Sequence, residues 1–158
     1  MPMDELLSRA MPHSPEAEQA VLGSMLIDAD CVKDVMGKLQ PQDFYLKQNR
    51  EIFETIYSMF IYSRPIDGVT VAREMEKAGV YHEDTRAYLL QLMEVTPTSA
   101  NVMEYAGIIR DKALLRAMAK AAGDISSRCR RAWAPPETCF RLPSRRSTPS
   151  GRDGAARR

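Results

Sequence analysis

The sequence predicts an all-α fold, and three observations carry that prediction. Every strong segment between residues 14 and 126 repeats its apolar residues at helical period, and no convincing period-2 strand appears. Proline, glycine and capping residues fall where such helices would begin and end. One stretch, Ser99 to Ser126, holds no proline and only two glycines, Gly107 and Gly123, among residues that are mostly good helix formers. The expected architecture is a helical globule of about five to six helices over 14–98, followed by a long protruding helix over 99–127.

Met1 to His13 reads as a flexible N-terminal arm. Ser14-Pro15-Glu16 then combines a capping hydroxyl, a proline at the first helical position and acids in the first turn. These signals predict a helix to about Leu26, with Ala17, Val21, Ser24 and Met25 on its apolar face. Asp28-Ala29-Asp30 breaks the pattern and caps a second helix, where Val32, Val35, Met36 and Leu39 follow i, i+3, i+4, i+7 spacing until Pro41. Gln42-Asp43-Phe44-Tyr45 is expected to be a turn that anchors two aromatics in the core. A third helix is expected over about Lys47 to Ser63, burying Ile52, Phe53, Ile56, Tyr57 and Phe60. Arg64-Pro65-Ile66-Asp67-Gly68 is a tight turn. Thr70 is expected to cap a short helix through Ala78, closed by Gly79 at the C′ position. Asp84 or Thr85 opens the next helix, with Tyr88, Leu89, Leu92 and Met93 along one side before Pro97.

Pro97 ends that helix, and Thr98 or Ser99 is placed to cap the long one. At about 1.5 Å per residue, Ser99 to Ser126 would span roughly 40 Å. A globule of about 100 residues has a radius of gyration near 13 Å, hence a diameter in roughly the mid-thirties of ångströms. A helix of this length is therefore expected to overrun the globule that carries it. Its apolar residues agree. Val102, Tyr105, Ala106, Ile109 and Ala113 share one face, while Leu114, Leu115, Met118, Ala121, Ala122 and Ile125 cluster on a face rotated by roughly 160°. Helical drift of about 20° per heptad does not produce such a change. The first set is expected to dock the helix on its own globule. Of the second, Leu114, Leu115, Met118, Ala122 and Ile125 are expected to meet a partner. The alternative is one helix buried on two sides within its own domain.

Bulk composition narrows the function classes. The 158 residues suit one domain, 44% hydrophobic content supports a core, and ten methionines imply adaptable packing. Cys31, Cys129 and Cys139 are an odd set without CxxC spacing, which argues against a disulfide framework or a zinc site and for thiols in a reducing cytoplasm. The first thirteen residues are too polar and acidic for a signal peptide, and no apolar run approaches the ~20 residues of a membrane span. A cytoplasmic protein without membrane contact is expected. Residues 1–123 carry 13 Lys+Arg and 18 Asp+Glu, a balance of −5, whereas residues 124–158 carry nine Arg, no Lys and three acids, a balance of +6. The acidic body argues against sequence-independent DNA binding by the folded part.

No catalytic, cofactor-binding or metal-ligating residue is assigned. The Gly37-Lys38 pair is followed by Leu39 and has Val32 where a phosphate loop needs its first glycine. There is no GxGxxG, HExxH or GxSxG. His13, in the arm, and His82, in a loop, read as solvated surface histidines. The pairs Glu74/Glu76 and Glu83/Asp84 read as helix-solvating or capping acids. Cys31 at a helix start reads as a core thiol rather than a dipole-activated one. Residue chemistry alone describes an all-helical, non-catalytic interaction module.

A resemblance sharpens this. The run Pro12-His13-Ser14-Pro15-Glu16-Ala17-Glu18-Gln19-Ala20-Val21-Leu22-Gly23-Ser24-Met25-Leu26 resembles the start of the bacterial replicative DNA helicase of the DnaB type. In order, Pro41-Gln42-Asp43-Phe44-Tyr45 resembles that family's P-x-D-F-Y turn, and Arg50-Glu51-Ile52-Phe53 its following helix. Pro65-Ile66-Asp67 with Val69-Thr70-Val71 resembles its P-[IV]-D-x-V-T-V segment. Thr96-Pro97-Thr98-Ser99-Ala100-Asn101-Val102, then Tyr105-Ala106 and Lys112-Ala113-Leu114-Leu115-Arg116, resemble the entry to its helical hairpin. These collinear matches cover roughly residues 12 to 126 and are specific as a set.

The resemblance implies an N-terminal domain made of a helical globule and a protruding two-helix hairpin, joined by a linker to a RecA-like motor that uses ATP and magnesium. Hairpins pair between subunits into a trimer-of-dimers collar on a hexameric ring. Primase, and in some bacteria a helicase loader, engages that collar, and the whole protein unwinds duplex DNA. This sequence departs from the pattern after Ser126–Ser127. An Arg/Pro/Ser-rich stretch, 128–158, stands where the second hairpin helix would be, with four of the chain's ten prolines and no lysine. By composition it is expected to be disordered. The reading favoured is a truncated or C-terminally frameshifted product, with no ATPase, translocation or unwinding residue in this chain. The competing reading is a nucleic-acid-binding protein acting through that basic tail.

Overall fold

The computed structural model describes residues 11–131, and these are helical, with no strand among them. The elements are α1 (Pro15–Ile27), α2 (Cys31–Lys38), a 3₁₀ turn (Pro41–Asp43), α3 (Lys47–Ile61), α4 (Gly68–Ala78), α5 (Thr85–Val95) and α6 (Val102–Arg130). The expected elements are all present, with differences at their ends. The chain divides into two compact units, one through Met118 and one from Ala119.

In the first unit α1 is the helix against which the others assemble. It packs along α5 and also touches α2 and α3, while α4 packs on both α3 and α5. Accordingly Ala17, Glu18 and the run Val21–Leu26 are all buried, so α1 lacks the polar face of a surface helix. Ser14 starts it as expected: its backbone is extended, its Oγ accepts from the Ala17 N–H at 3.4 Å, and Pro15 occupies the first turn. Around α1 close Val32, Val35, Leu39, Phe44, Ile52, Phe53, Ile56, Val71, Met75, Leu89 and Leu92.

Two caps differ from the expectation. Asp30 precedes α2 but makes no side-chain cap; Asp28 instead accepts from the Asp30 N–H at 3.0 Å and from Ser99 Oγ at 2.6 Å. The Ser99 hydrogen bond holds the Asp28 carboxyl below the ordinary carboxylate range. At α4 the cap is Asp67 rather than Thr70. Asp67 Oδ1 accepts from the Val69 and Thr70 N–H groups, each at 2.9 Å, and Thr70 Oγ1 accepts from the Asp67 N–H at 3.0 Å. This reciprocal pair satisfies three donors at once. Gly79 closes α4 with φ +73°, the left-handed value that favours glycine at this position.

Helix α3 stops at Ile61, two residues before the expected end. Ser63 turns to φ 51°, and the Arg64 N–H returns to the Met59 carbonyl at 2.9 Å, the wide hydrogen bond of a Schellman-type stop. Its buried side is Ile52, Phe53, Ile56 and Met59. Tyr57 and Phe60, expected in that stripe, are exposed, because Met59 takes the inward position of the last turn. Of the two turn aromatics only Phe44 enters the core, 4.7 Å from Phe53 between ring centroids, while Tyr45 stays at the surface.

The long helix begins at Val102, with Ser99 to Asn101 forming the turn that leads into it. It continues to Arg130, three residues past the expected boundary at 127. In the second unit the described residues, Ala119 to Arg131, are exposed except half-buried Ser126. The first ten residues of the expected arm, and the expected tail from 132 onward with Cys139, lie outside the described residues. Among the described residues no helix is long and apolar enough to cross a membrane.

Candidate protein-interaction surface on the long helix

The docked side of α6 is built from small and β-branched residues one turn apart. Val102, Ala106 and Ile109 are buried and belong to the core of the first unit. Tyr105 and Ala113, expected with them, are placed differently: Tyr105 is 37% exposed and Ala113 half-buried. At 100° per residue Tyr105 sits on the far side of Ile109 from Ala106, at the margin of the buried stripe.

Polar contacts reinforce this seat. Lys38 lies across the helix and donates to the Met103 carbonyl at 3.2 Å. A Cβ at Gly107 would fall 3.3 Å from Lys38 Nζ, so the glycine gives that side chain its room. Arg110 Nη1 reaches both carboxylate oxygens of Asp43, at 3.0 and 3.2 Å. Arg116 donates to the Pro12 carbonyl at 2.7 Å and to the Asp43 carbonyl, with its guanidinium 5.6 Å from the centroid of the Tyr45 ring. Tyr45 in turn stacks on His13 at 4.2 Å. His13, expected to be a solvated arm residue, is half-buried in this stack, and its Nδ1 lies 2.7 Å from the Met11 carbonyl oxygen. Residues 11–13 are thus tied down by a side chain more than a hundred positions later.

This clamp predicts a specific loss. Arg116→Ala should lower stability by roughly 1–2 kcal/mol, since two hydrogen bonds from a charged donor disappear. Arg116→Lys should recover less than half of it, because an ammonium does not present the two-pronged fork. Urea midpoints measure both, and equal midpoints for the lysine variant and the parent would show that charge rather than fork geometry matters.

The opposite side of α6 is apolar and open. Leu114, Leu115 and Met118 in the first unit are 48%, 47% and 67% exposed, and Ile108 is 41% exposed. In the second unit Ala122 is exposed and Ile125 is 36% exposed. The alternative of a helix buried on two sides within its own domain therefore does not hold for the described residues. By sequence spacing Ile108, Leu115 and Ala122 are seven apart, and Met118 and Ile125 are seven apart. That is the spacing of a seam between paired helices.

Cys31 is buried at the start of α2, and burial, followed by the charges of Asp28 and Asp34, pushes its thiol up to about 11, away from reactive thiolate character. His82 is exposed, 3.9 Å from Glu51. No group of three metal-ligating side chains occurs among the described residues. Sequence reasoning missed the clamp of Arg110 and Arg116. Its only sequence signal is a pair of arginines on the half of α6 that docks.

The described residues are all-helical, close one core and leave Leu114, Leu115 and Met118 of α6 exposed. Comparison with known proteins gives the family. Residues 10–111 match the family described as the DnaB-like helicase N terminal domain, and the chain belongs to that family. It is 38% identical over 122 residues to the replicative DNA helicase DnaB of Mycobacterium leprae, covering 77% of this chain and 20% of that protein. It is 36% identical over 124 residues to the same helicase of Leifsonia xyli subsp. xyli, covering 78% of this chain and 27% of that protein. The chain thus spans about a fifth to a quarter of the relatives it matches. Among solved structures, the N-terminal domain of DnaB helicase from Mycobacterium tuberculosis superposes with a TM-score of 0.77 at 32% identity, covering 82% of this chain and 92% of that one. The N-terminal domain of DnaB helicase from Helicobacter pylori, described together with its interactions with primase, shares the fold at a TM-score of 0.65 and 22% identity, covering 82% of this chain and 99% of that one.

Proposed function

We propose that this chain serves as an assembly and primase-docking domain of a replicative DNA helicase in the cytoplasm. The observation that carries the reading is the exposure of the apolar side chains Leu114, Leu115 and Met118 on the first unit's part of α6. Leu115, Met118, Ala122 and Ile125 pack against a second copy of the chain, and Val102, Tyr105, Ala106, Ile109 and Ala113 keep the helix seated on its own globule. Higher assembly, to the hexamer of the replicative helicases, needs segments beyond these residues. Primase, which the Helicobacter pylori domain engages, is the partner of the assembled collar, with a helicase loader as a further client. ATP, magnesium and duplex DNA belong to a motor outside these residues, so this chain contributes geometry and docking rather than catalysis.

Leu115→Asp tests the reading. A charge placed in an apolar helix seam costs association several-fold or more while leaving an exposed helix position nearly indifferent. Sedimentation equilibrium should show the variant shifted toward monomer, with far-UV circular dichroism unchanged. Equal loss of association and helical signal would sink the two-face assignment.

A further inference from the structure

Helices α4 and α5 enclose a cleft of about 400 Å³ on the first unit. That is a ligand-sized volume, since binding pockets run from about 300 to 1,000 Å³. Ala72, Leu89 and Met93 make its apolar wall, with Tyr81 beside them. A Cβ at Gly68 would lie 2.9 Å from Met93 Sδ, so the glycine leaves the thioether its present position. The methionine is the adaptable element, able to repack around different side chains. Val69 and Leu90 line the cleft as well and remain 76% and 54% exposed, so apolar surface is open at its mouth.

Charge at the rim is formally balanced, Arg73 and Arg86 against Asp67 and Glu76, but the four groups are not equally available for pairing. Arg73 and Arg86 line the cleft, and neither makes a hydrogen bond or ion pair among the described residues. The other described arginines of the first unit are engaged: Arg50 and Arg116 donate to backbone carbonyls, Arg64 pairs with Glu74 at 2.6 Å and Arg110 with Asp43 at 3.0 Å. Of the two acids at the rim, Asp67 is consumed by the first turn of α4, leaving Glu76 alone against two free guanidinium groups. Free cations are notable in a body whose first 123 residues carry a balance of −5.

We infer that the α4–α5 cleft docks an amphipathic helix of a partner protein, one whose aliphatic side chains enter the cleft and whose flanking carboxylates meet Arg73 and Arg86. The open Val69 and Leu90 favour such an extended partner: at 76% and 54% exposed they offer apolar area that a small amphiphile seated against Ala72, Leu89 and Met93 would cover only in part. Helix-in-groove docking of this kind reads out as anchors at i, i+3, i+4 and i+7, with arginine recognising carboxylates in two-pronged fashion. The site is separate from the α6 face and does not depend on the proposal made for it.

The test uses the full chain and a fluorescein-labelled 18-residue helical peptide with leucines at i, i+3, i+4 and i+7 and glutamates flanking them. A second peptide replaces those glutamates with lysine. Anisotropy should show the acidic peptide binding at least tenfold more tightly than the basic one. The double variant Arg73→Glu/Arg86→Glu, and separately Val69→Asp, should each weaken it tenfold or more, with circular dichroism confirming that both remain folded. Leu115→Asp should leave it unchanged, and amide shifts should concentrate at Gly68, Val69, Arg73, Arg86 and Leu90. Equal binding of both peptides, no binding at millimolar peptide, indifference to the double charge reversal, or occupation of the cleft by decanoate alone would each overturn the assignment.

Discussion

Gly23→Ala is expected to destabilise the domain by roughly 3 kcal/mol, the upper part of the range for overpacking a core. A Cβ at Gly23 would fall 2.1 Å from Thr96 Oγ1, 2.8 Å from Thr96 Cβ and 2.4 Å from the Leu92 carbonyl oxygen. The Thr96 side chain is itself buried, and the Leu92 carbonyl is backbone of α5, so neither swings aside. Relief requires α1 and α5 to separate along the most extensive helix contact in the domain. Helix propensity pulls the other way, since alanine gains about 1 kcal/mol over glycine in a helix interior. The clash is the larger effect. Thermal unfolding followed by circular dichroism should show a midpoint lowered by on the order of 10 °C. Gly123 supplies the control, because a Cβ there meets nothing within 4 Å and alanine should stabilise slightly. A Gly23→Ala midpoint at or above the parent's would show that the two helices part without cost.

Glu18→Ala should cost a similar amount, about 3 kcal/mol, through unsatisfied donors rather than sterics. Glu18 is 2% exposed, and its carboxylate accepts from the Tyr45 N–H at 2.7 Å, the Leu46 N–H at 3.4 Å and Asn49 Nδ2 at 2.8 Å. Asn49 is fully buried and passes the network on, its Oδ1 accepting from the Tyr88 hydroxyl at 2.7 Å. Burial raises the Tyr88 phenol above its ordinary value. Removing the carboxylate strands the part-buried Tyr45 and Leu46 N–H groups and the buried Asn49 side-chain amide. Glu18→Gln keeps one acceptor oxygen but turns an NH₂ toward other donors, so it should retain about half the loss. Guanidinium midpoints order the three proteins, and a glutamine variant as stable as the parent would show that one oxygen suffices.

Both positions explain what could be read from the sequence and what could not. Helix existence was legible because local rules agree: Ser14-Pro15 opens α1, Gly79 closes α4, and the 3.6 period persists between them. Burial direction was legible where a stripe is purely apolar, as at Val32, Val35 and Leu39. It failed at Tyr45, Tyr57 and Tyr105, whose rings are amphipathic and settle at the edge of a buried stripe. Glu18 looked like a first-turn acid complementing the helix dipole. A signal was present, since Glu18, Val21, Leu22 and Met25 share i, i+3, i+4, i+7 spacing and put a carboxylate inside an apolar stripe. Its partners were not legible, being 27 to 31 residues away. Gly23 carried the weaker hint of a mid-helix glycine, but Thr96 lies 73 positions on, and only the crossing of α1 and α5 relates them.

The α6 surface divides the same way. Exposure of Leu114, Leu115, Met118 and Ile125 agrees with a second face unlike the first, because a face that changes along a helix is written in its periodicity. The Arg110 and Arg116 contacts are not, because long side chains reach beyond the angular sector of their own Cα.

The remote carboxylate of Glu18 has a consequence for the order in which the chain acquires structure. Leu46 precedes α3 and offers no side-chain cap. The Tyr45 and Leu46 N–H groups just ahead of that helix, and the Asn49 side chain in its first turn, meet their acceptor only when α1 is in place. The entrance to α3 forms in the same step that closes a loop of nearly thirty residues, which couples a local conformational gain to a long-range entropy loss. Such coupling suppresses partly folded forms in which α1 and α3 exist side by side without their core, and it makes the domain assemble as one cooperative unit.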